Sequence, residues 1–384
     1  MEALKILNNL VSIKALKELG AEIYIVGGCV RDHYLGKESK DIDIIVSLID
    51  DITITNCLEQ YGKVDKVGES FGVIKFIPFN WEGEPIDIAQ PRKDILEDKT
   101  KGHHGIKAEF NPFIPIDIEL SRRDFNFNSI AIKLDGTIID PFNGLQDIEN
   151  KIIRATSNQS FSDDPLRMLR AIQFASRFNF EIEENTWKMI VKNCSDIKTI
   201  TGERVHEELN KIFFKGNINL GIKLLIDSGL HKQLFPNVKD IIPNPDNIYS
   251  ISDFYYLLCG DAENYKNILK GDNNIYKGIK AIEKCLEKHT KILMMYDMRQ
   301  ILFDAYQISP SIFGSKILNN YFYNITQEFK NNHLPKKITE LDITGEDLIE
   351  QGFKGKEIGD RQKFLLMEIF KGNRQNIKED LLYL

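Results

Sequence analysis

The feature that most constrains how this chain can fold is a change of hydrophobic period part-way along it. From about Ile23 to Asp140, short β-branched runs (IYIV, DIDIIV, GVIKFI, PIDIA and SIAIKL) are bounded by Gly, Pro, Asn or Asp, as strands are. After Phe142 that pattern fades and amphipathic helical spacing takes over. The expected fold class is therefore α+β: a mixed sheet with helices over 1–142, then all-helical regions over 143–235 and 236–384. The opening MEALKILNNLVSIKALKEL reads as one amphipathic helix. Ser162 as N-cap, with Asp163, Asp164 and Pro165 in the first turn, predicts another helix running to about Phe178. Further helices are expected over Glu183 to Asn193, Arg204 to Phe214 and Ile218 to Ser228. The stretch Pro236 to Asn247, with three Pro, is the expected boundary.

Composition removes several classes of function. The 384 residues are 42% hydrophobic and 28% charged, with 50 Lys and Arg against 57 Asp and Glu, a formal net charge of −7. That is a folding, water-soluble composition. No apolar run approaches the roughly 20 residues of a membrane span, and the first helix lacks a signal peptide's apolar centre. Five scattered cysteines with no CxxC spacing indicate neither a disulfide framework nor a zinc site, so the expected location is the cytoplasm.

The chemistry is concentrated in a few segments. In IYIVGGCVRDHYLG followed by KDIDIIV, Asp41 and Asp43 stand two apart on an expected strand, so their carboxylates share a face about 7 Å apart at Cα. Two such charges call for a cation, and a few hard oxygen ligands at an open site suit Mg²⁺. Gly27 and Gly28 before a helix offer bare backbone N–H groups and close approach to a triphosphate, and Arg31 adds a fixed positive charge. Taken singly, the two Asp are a solvated strand end and the two Gly a turn; their order along the chain is what favours chemistry. Asp87, on another short strand, either adds a third carboxylate to the cation site or caps a sheet edge. Arg92 is a phosphate contact or a solvated charge.

In LSRRDFNFNSIAI, adjacent Arg122 and Arg123 need anions to meet, and Asp124 can orient one of them; alone, the segment would be an exposed basic turn. Asn128 either binds a ribose or ligand or caps backbone. In DDPLRMLRAIQFASRF, Asp164, Arg167, Arg170 and Arg177 fall within an arc of about 140° if the segment is one helix. An Asp beside an Arg is an acceptor beside a donor, which complements the Watson–Crick edges of C and A and opposes those of U and G. A polar stretch from Asp98 to Asn111, holding His103 and His104, is expected to be a mobile functional loop.

These segments resemble the class II tRNA nucleotidyltransferase and bacterial poly(A) polymerase family. GGCVRD with DID, RRDFNFNSIA, DDPLRMLRAIQFASRF and ERVHEELNKIF occur in the family's order and at similar spacing over about the first 215 residues. The resemblance implies a nucleotidyltransferase head over 1–142, a helical neck over 143–235 carrying the nucleotide-selecting helix, and a body and tail over 236–384 that hold RNA. It implies that Asp41 and Asp43 are catalytic and bind Mg²⁺. Gly27, Gly28 and Arg31 would lie near the triphosphate, Arg122, Arg123 and Asp124 would contact nucleotide sugar or phosphate, and Asp164 and Arg167 would select the base; Asn128 and Arg170 are expected to bind nucleotide as well.

Asp163 stands where the family often has Glu, and Asn126 and Ser129 replace the more usual Thr and Ala. ITGERVHEELNKIF and the tail LDITGEDLIEQGFKGKEIGD look more like the CCA-adding branch. The middle, about Ile241 to His333, matches no motif. The expected activity is addition of C and A to the 3′ end of tRNA from CTP and ATP. The alternatives are poly(A) polymerase, CC-only or A-only addition, and a non-catalytic RNA-binding protein.

Overall fold

The computed structural model describes residues 1–67, 72–96, 106–238, 250–289, 302–306, 308–309, 315, 335, 337–370 and 373–382. His103 and His104 lie outside the described residues, as do most of Pro236 to Asn247 and much of Ile241 to His333. The chain divides into two compact units, Met1–Leu234 and Phe235–Leu384.

In the first unit the expected strands form β1 (Glu22–Val26), β2 (Ile42–Ser47), β3 (Gly62–Val67), β4 (Val73–Pro78), β5 (Ile86–Ala89), β6 (Arg92–Leu96), β7 (Ile106–Phe110), β8 (Ala131–Lys133) and β9 (Ile138–Ile139). Seven of them make one sheet in the order β3-β4-β5-β2-β1-β8-β9. Only β2 and β5 run parallel in it, and their register sets Asp43 beside Asp87. β1, near the centre, is buried at every residue after Glu22, whereas β4 alternates buried and half-buried positions. β6 and β7 pair separately as an antiparallel ribbon, so part of the Asp98 to Asn111 stretch expected to be loop is strand instead.

Helices α1 (Glu2–Asn9), α2 (Val11–Glu18), α3 (Gly28–Tyr34), α4 (Asp51–Leu58), α5 (Ile116–Ser121) and α6 (Gly144–Glu149) accompany the sheet. The single N-terminal helix expected from the sequence is in fact two, broken at an extended Leu10. Two Asn precede the break; Asn side chains compete with helical backbone bonds, and Asn8 donates instead to the Leu134 carbonyl at 2.9 Å.

Two short strands, β10 (Ile152–Ile153) and β11 (Glu181–Ile182), flank α7 (Ser160–Asp163) and α8 (Leu166–Phe178). Here too one expected helix is two. Asp164 is extended (φ −140°, ψ 99°), because Pro165 disfavours helical backbone in the residue before it. Ser162 therefore lies inside α7 rather than capping the long helix, and the Asp164 side chain accepts from the Leu166 N–H at 3.1 Å. After it come α9 (Glu184–Asn193), α10 (Gly202–Lys215), α11 (Ile218–Asp227) and α12 (Leu230–Leu234).

The alternation in DFNFN acquires a physical reason in the core. Phe125 and Phe127 are fully buried and stack at 5.5 Å, and Phe127 meets Phe174 of α8 edge-on at 5.3 Å. Phe174 in turn stacks on Phe178. Burial of each such ring is worth roughly 1.5–3 kcal/mol, and each favourable ring pair adds about 0.5–1.5 kcal/mol. This aromatic column fastens α8 to the turn that carries the paired arginines.

The second unit holds α13 (Ile251–Cys259), α14 (Ala262–Leu269), α15 (Asn273–His289), α16 (Gly345–Glu350), α17 (Lys356–Phe370) and α18 (Lys378–Leu382). Ile282, Leu365, Ile369 and Phe370 are among its core residues. The tail motif ITGEDLIE is a helix start in physical terms: Thr344 and Asp347 form a reciprocal capping box on α16. No described helix is long and apolar enough to cross a membrane.

Candidate active site

The site begins where β1 ends. Gly27 adopts φ 78°, ψ −141°, a conformation open in practice only to glycine. A Cβ there would stand 3.1 Å from Asp43 Oδ2 and 3.4 Å from Arg123 Nη1, so the bare backbone lets a carboxylate and a guanidinium close over the turn. Asp43 sits on β2, whereas Asp41 lies just before that strand and is exposed. Burial, then the neighbouring Asp87 charge, raise the Asp43 carboxyl from the usual range to about 6. Asp87 is on an interior strand, so it caps no sheet edge, and it lies 3.2 Å from Lys75 Nζ on β4. Crowded carboxylates of this kind fit a divalent cation at an open site. Among the described residues no three His, Cys, Asp or Glu side chains form a closed metal cluster.

The arginine turn is held from beneath by a residue the sequence did not flag. Glu119, fully buried on α5, accepts from Arg122 Nε at 2.7 Å and from the Arg92 backbone N–H at 3.0 Å, and lies 3.6 Å from Arg123. Asp124 orients neither of its two arginine neighbours. It takes Arg170 of α8 instead, at 2.8 Å from Nε and 2.7 Å from Nη2. Burial works to raise the Asp124 carboxyl, but Arg170 and the Asn128 amide outweigh it and hold it below the usual range. Asn128 bridges two charged groups rather than capping backbone: it donates to Asp124 at 2.9 Å and accepts from Arg31 at 2.8 Å. Arg31, nearly buried, also bonds Asp32 and lies over the rings of Phe174 and Phe178.

Asp164 and Arg167 face the same space but do not pair with each other. Asp164 Oδ2 takes Arg204 of α10 at 3.0 Å. Arg167 donates to Ser160 Oγ at 3.0 Å and to the Arg122 backbone carbonyl at 2.6 Å. Arg177 lies 4.0 Å from Asp32 and over the Phe178 ring, away from this pair.

The outcome is one polar cleft of about 480 Å³. Gly27, Gly28, Arg31, Asp43, Arg122 and Arg123 line it, and so do Asp124, Asn128, Asp164, Arg167 and Arg170. Asp41 and Asp87 do not line it. A wider neighbouring space of about 820 Å³ shares Arg122, Asp164 and Arg167 and also reaches Arg92. Besides Glu119, sequence reasoning passed over Asp32, Arg204 and Glu208. Helical spacing was the available signal: Glu119 precedes the arginines by three and four residues, and Arg204 and Glu208 are four apart in ERVHEEL.

A carboxylate near the start of a strand, a glycine turn and convergent arginines thus face an acceptor–donor pair across one cleft. Residues 23–154 match the model of the poly A polymerase head domain, and 179–242 match that of the probable RNA and SrmB-binding site of polymerase A. A CCA-adding enzyme from Ligilactobacillus salivarius is 31% identical over 396 residues, 96% of this chain and 93% of the relative. The chain belongs to the CCA-adding enzyme and poly(A) polymerase family.

Within this CCA-adding and poly(A) polymerase family, a CC-adding tRNA nucleotidyltransferase from Halalkalibacterium halodurans is 30% identical over 220 residues, 57% of this chain and 52% of that relative. The structure of a CCA-adding enzyme in complex with ATP superposes with a TM-score of 0.71 at 27% identity, covering 98% of this chain and 92% of that one.

Proposed function

We propose that the protein adds C and A to the 3′ end of tRNA without a template, using CTP and ATP and releasing pyrophosphate. The observation that carries this reading is the single cleft in which Asp43, the glycine turn and Arg123 face Asp164 and Arg167. The full-length match to a CCA-adding enzyme supports it.

In the proposed reaction the terminal 3′-hydroxyl oxygen of the RNA attacks the α-phosphorus. An oxygen–phosphorus bond forms, the α–β phosphoanhydride bond breaks, and the hydroxyl proton leaves to solvent or base as pyrophosphate departs. Asp41 and Asp43, with Asp87 beside them, would hold Mg²⁺, which supplies charge balance for the triphosphate and acidifies the hydroxyl. Arg31, Arg123 and the Gly27–Gly28 turn receive phosphate, and Arg122 and Asn128 lie where sugar or phosphate contacts form. Asp124 and Arg170 brace that wall. Asp164 accepts the amino group of C or A, and Arg167 donates to the adjoining ring nitrogen.

The proposed division of labour is a catalytic head over 1–142, a selecting neck over 143–235 and an RNA-holding body and tail over 236–384. The proposed compartment is the cytoplasm, in keeping with five free cysteines.

CC-only addition is a second reading, favoured by the CC-adding relative that matches the first part of the chain. Incubation with tRNA lacking its CCA end, Mg²⁺ and each labelled nucleoside triphosphate, singly and combined, separates the two. A C, C, A ladder that stops is expected. A stop after CC supports the second reading, and no incorporation overturns both.

A further inference from the structure

Arg204 lies outside the cleft lining, yet it anchors the group proposed to read the base. Asp164 is gripped at both oxygens: Oδ1 accepts from the Leu166 N–H at 3.1 Å and Oδ2 from Arg204 at 3.0 Å. Each carboxylate oxygen has two lone pairs, so these anchors fix the plane of the group while leaving it able to accept from a base. Asp164 is mostly buried and Arg204 about one-third exposed. Asp164 also stands at a break between helices: its backbone is extended, with the N–H bonding the Ser160 carbonyl of α7 at 3.3 Å and the carbonyl accepting from the Arg167 N–H of α8 at 3.0 Å.

Among the described residues, the arginines of α8 itself are also cations within reach of Asp164. Arg167 is three residues on, and the Asp164 charge already reaches Arg170. An acceptor and a donor that turn to each other form an internal ion pair, and such a pair no longer distinguishes one Watson–Crick edge from another. The same face of α10 treats the next arginine likewise: Glu208, four residues after Arg204, lies 3.6 Å from Arg170.

We infer that Arg204 is a positioning residue for base selection, keeping Asp164 turned toward the nucleobase and apart from the arginines of α8. The inference rests on the proposed nucleotide transfer. It concerns which base is taken, not whether phosphate or RNA is bound.

The test is single-nucleotide incorporation by the full-length protein on tRNA lacking its CCA end, comparing kcat/KM for CTP and UTP. Arg204→Ala should lower the CTP-over-UTP ratio at least tenfold and leave the KM for tRNA near wild type. Arg204→Lys, which keeps a cation there, should recover part of the ratio. Arg204→Gln, nearly the same size and uncharged, gives the same readout if the alanine variant fails to fold. An equal loss for CTP and UTP, with the ratio preserved in the alanine and glutamine variants, would reduce Arg204 to a structural brace and overturn the inference. If the wild-type protein incorporates no nucleotide, the functional reading falls and this inference with it; if wild type discriminates and the variants do too, only this inference falls.

Discussion

At the scale of single residues, Asp43 carries a conflict between stability and chemistry. Its carboxyl titrates at about 6 in the folded protein. An acid with a raised folded pKa destabilises the fold once ionised: the penalty is absent below about pH 4 and complete above about pH 6, and is worth about 1–3 kcal/mol. Asp43→Asn should therefore melt a few degrees higher than wild type at pH 8 without divalent cation, while turnover falls at least about 100-fold. Mg²⁺ should raise the melting temperature of wild type and not that of the variant, as calorimetry can check. Because only the ionised carboxylate ligates a metal, incorporation at limiting Mg²⁺ should rise with pH through about 6 and then level off. Saturating Mg²⁺ should move that midpoint to lower pH, and a midpoint indifferent to Mg²⁺ would exclude Asp43 as a ligand. Gly27→Ala belongs to the same scale. Its positive φ and the 3.1 Å approach to Asp43 predict a folded protein with most nucleotide incorporation lost.

At the scale of elements, α8 matters because its inner face joins the hydrophobic core to the arginines. Phe174 packs on Phe127, and both Arg31 and Arg170 lie over its ring, at 5.3 and 5.2 Å. Phe174→Ala should cost about 3–5 kcal/mol in urea unfolding, and Phe174→Leu less, but both should weaken CTP binding through the two unsupported guanidinium groups. Much of this element was legible in advance. The spacing of Leu166, Met168, Leu169 and Ile172 gave the buried face, and eleven of the residues chosen from motifs meet in one cleft. The break at Asp164 is less legible because Pro165 has two effects: it suits the first turn of a helix, and it also pushes the residue before it out of helical backbone, which is what splits the segment. Arg204 is hidden for a different reason: it reaches Asp164 from another helix, and spacing along the sequence carries no such distance, whereas Glu119 precedes the arginines by three and four residues and helical spacing exposes it.

At the scale of the whole molecule, a net charge of −7 has to coexist with the polyanionic substrate proposed above. Binding of tRNA then depends on locally grouped Lys and Arg, so the KM for tRNA should rise steeply between 50 and 200 mM salt, by about tenfold or more, while the KM for CTP changes less. Filter binding across a salt series would measure the slope, and a flat response would argue against phosphate-dominated contact. Since Met1–Leu234 is a compact unit with its own core, a fragment of that extent should unfold cooperatively and bind CTP, with tRNA affinity reduced. The strand-to-helix change in hydrophobic period made this broad architecture readable, because period depends only on local neighbours.

The extended residue before Pro165 bears on how such a cleft can be retargeted. Asp164 closes the start of α8 with one oxygen and meets α10 with the other, so a replacement chosen to suit another base inherits both duties. An amide there could still cap the helix with its oxygen, but its nitrogen would then face the Arg204 guanidinium, donor against donor. Changing the preferred letter is thus a joint redesign of a turn and a neighbouring helix, and single-codon swaps at Asp164 should yield poor enzymes before they yield differently selective ones.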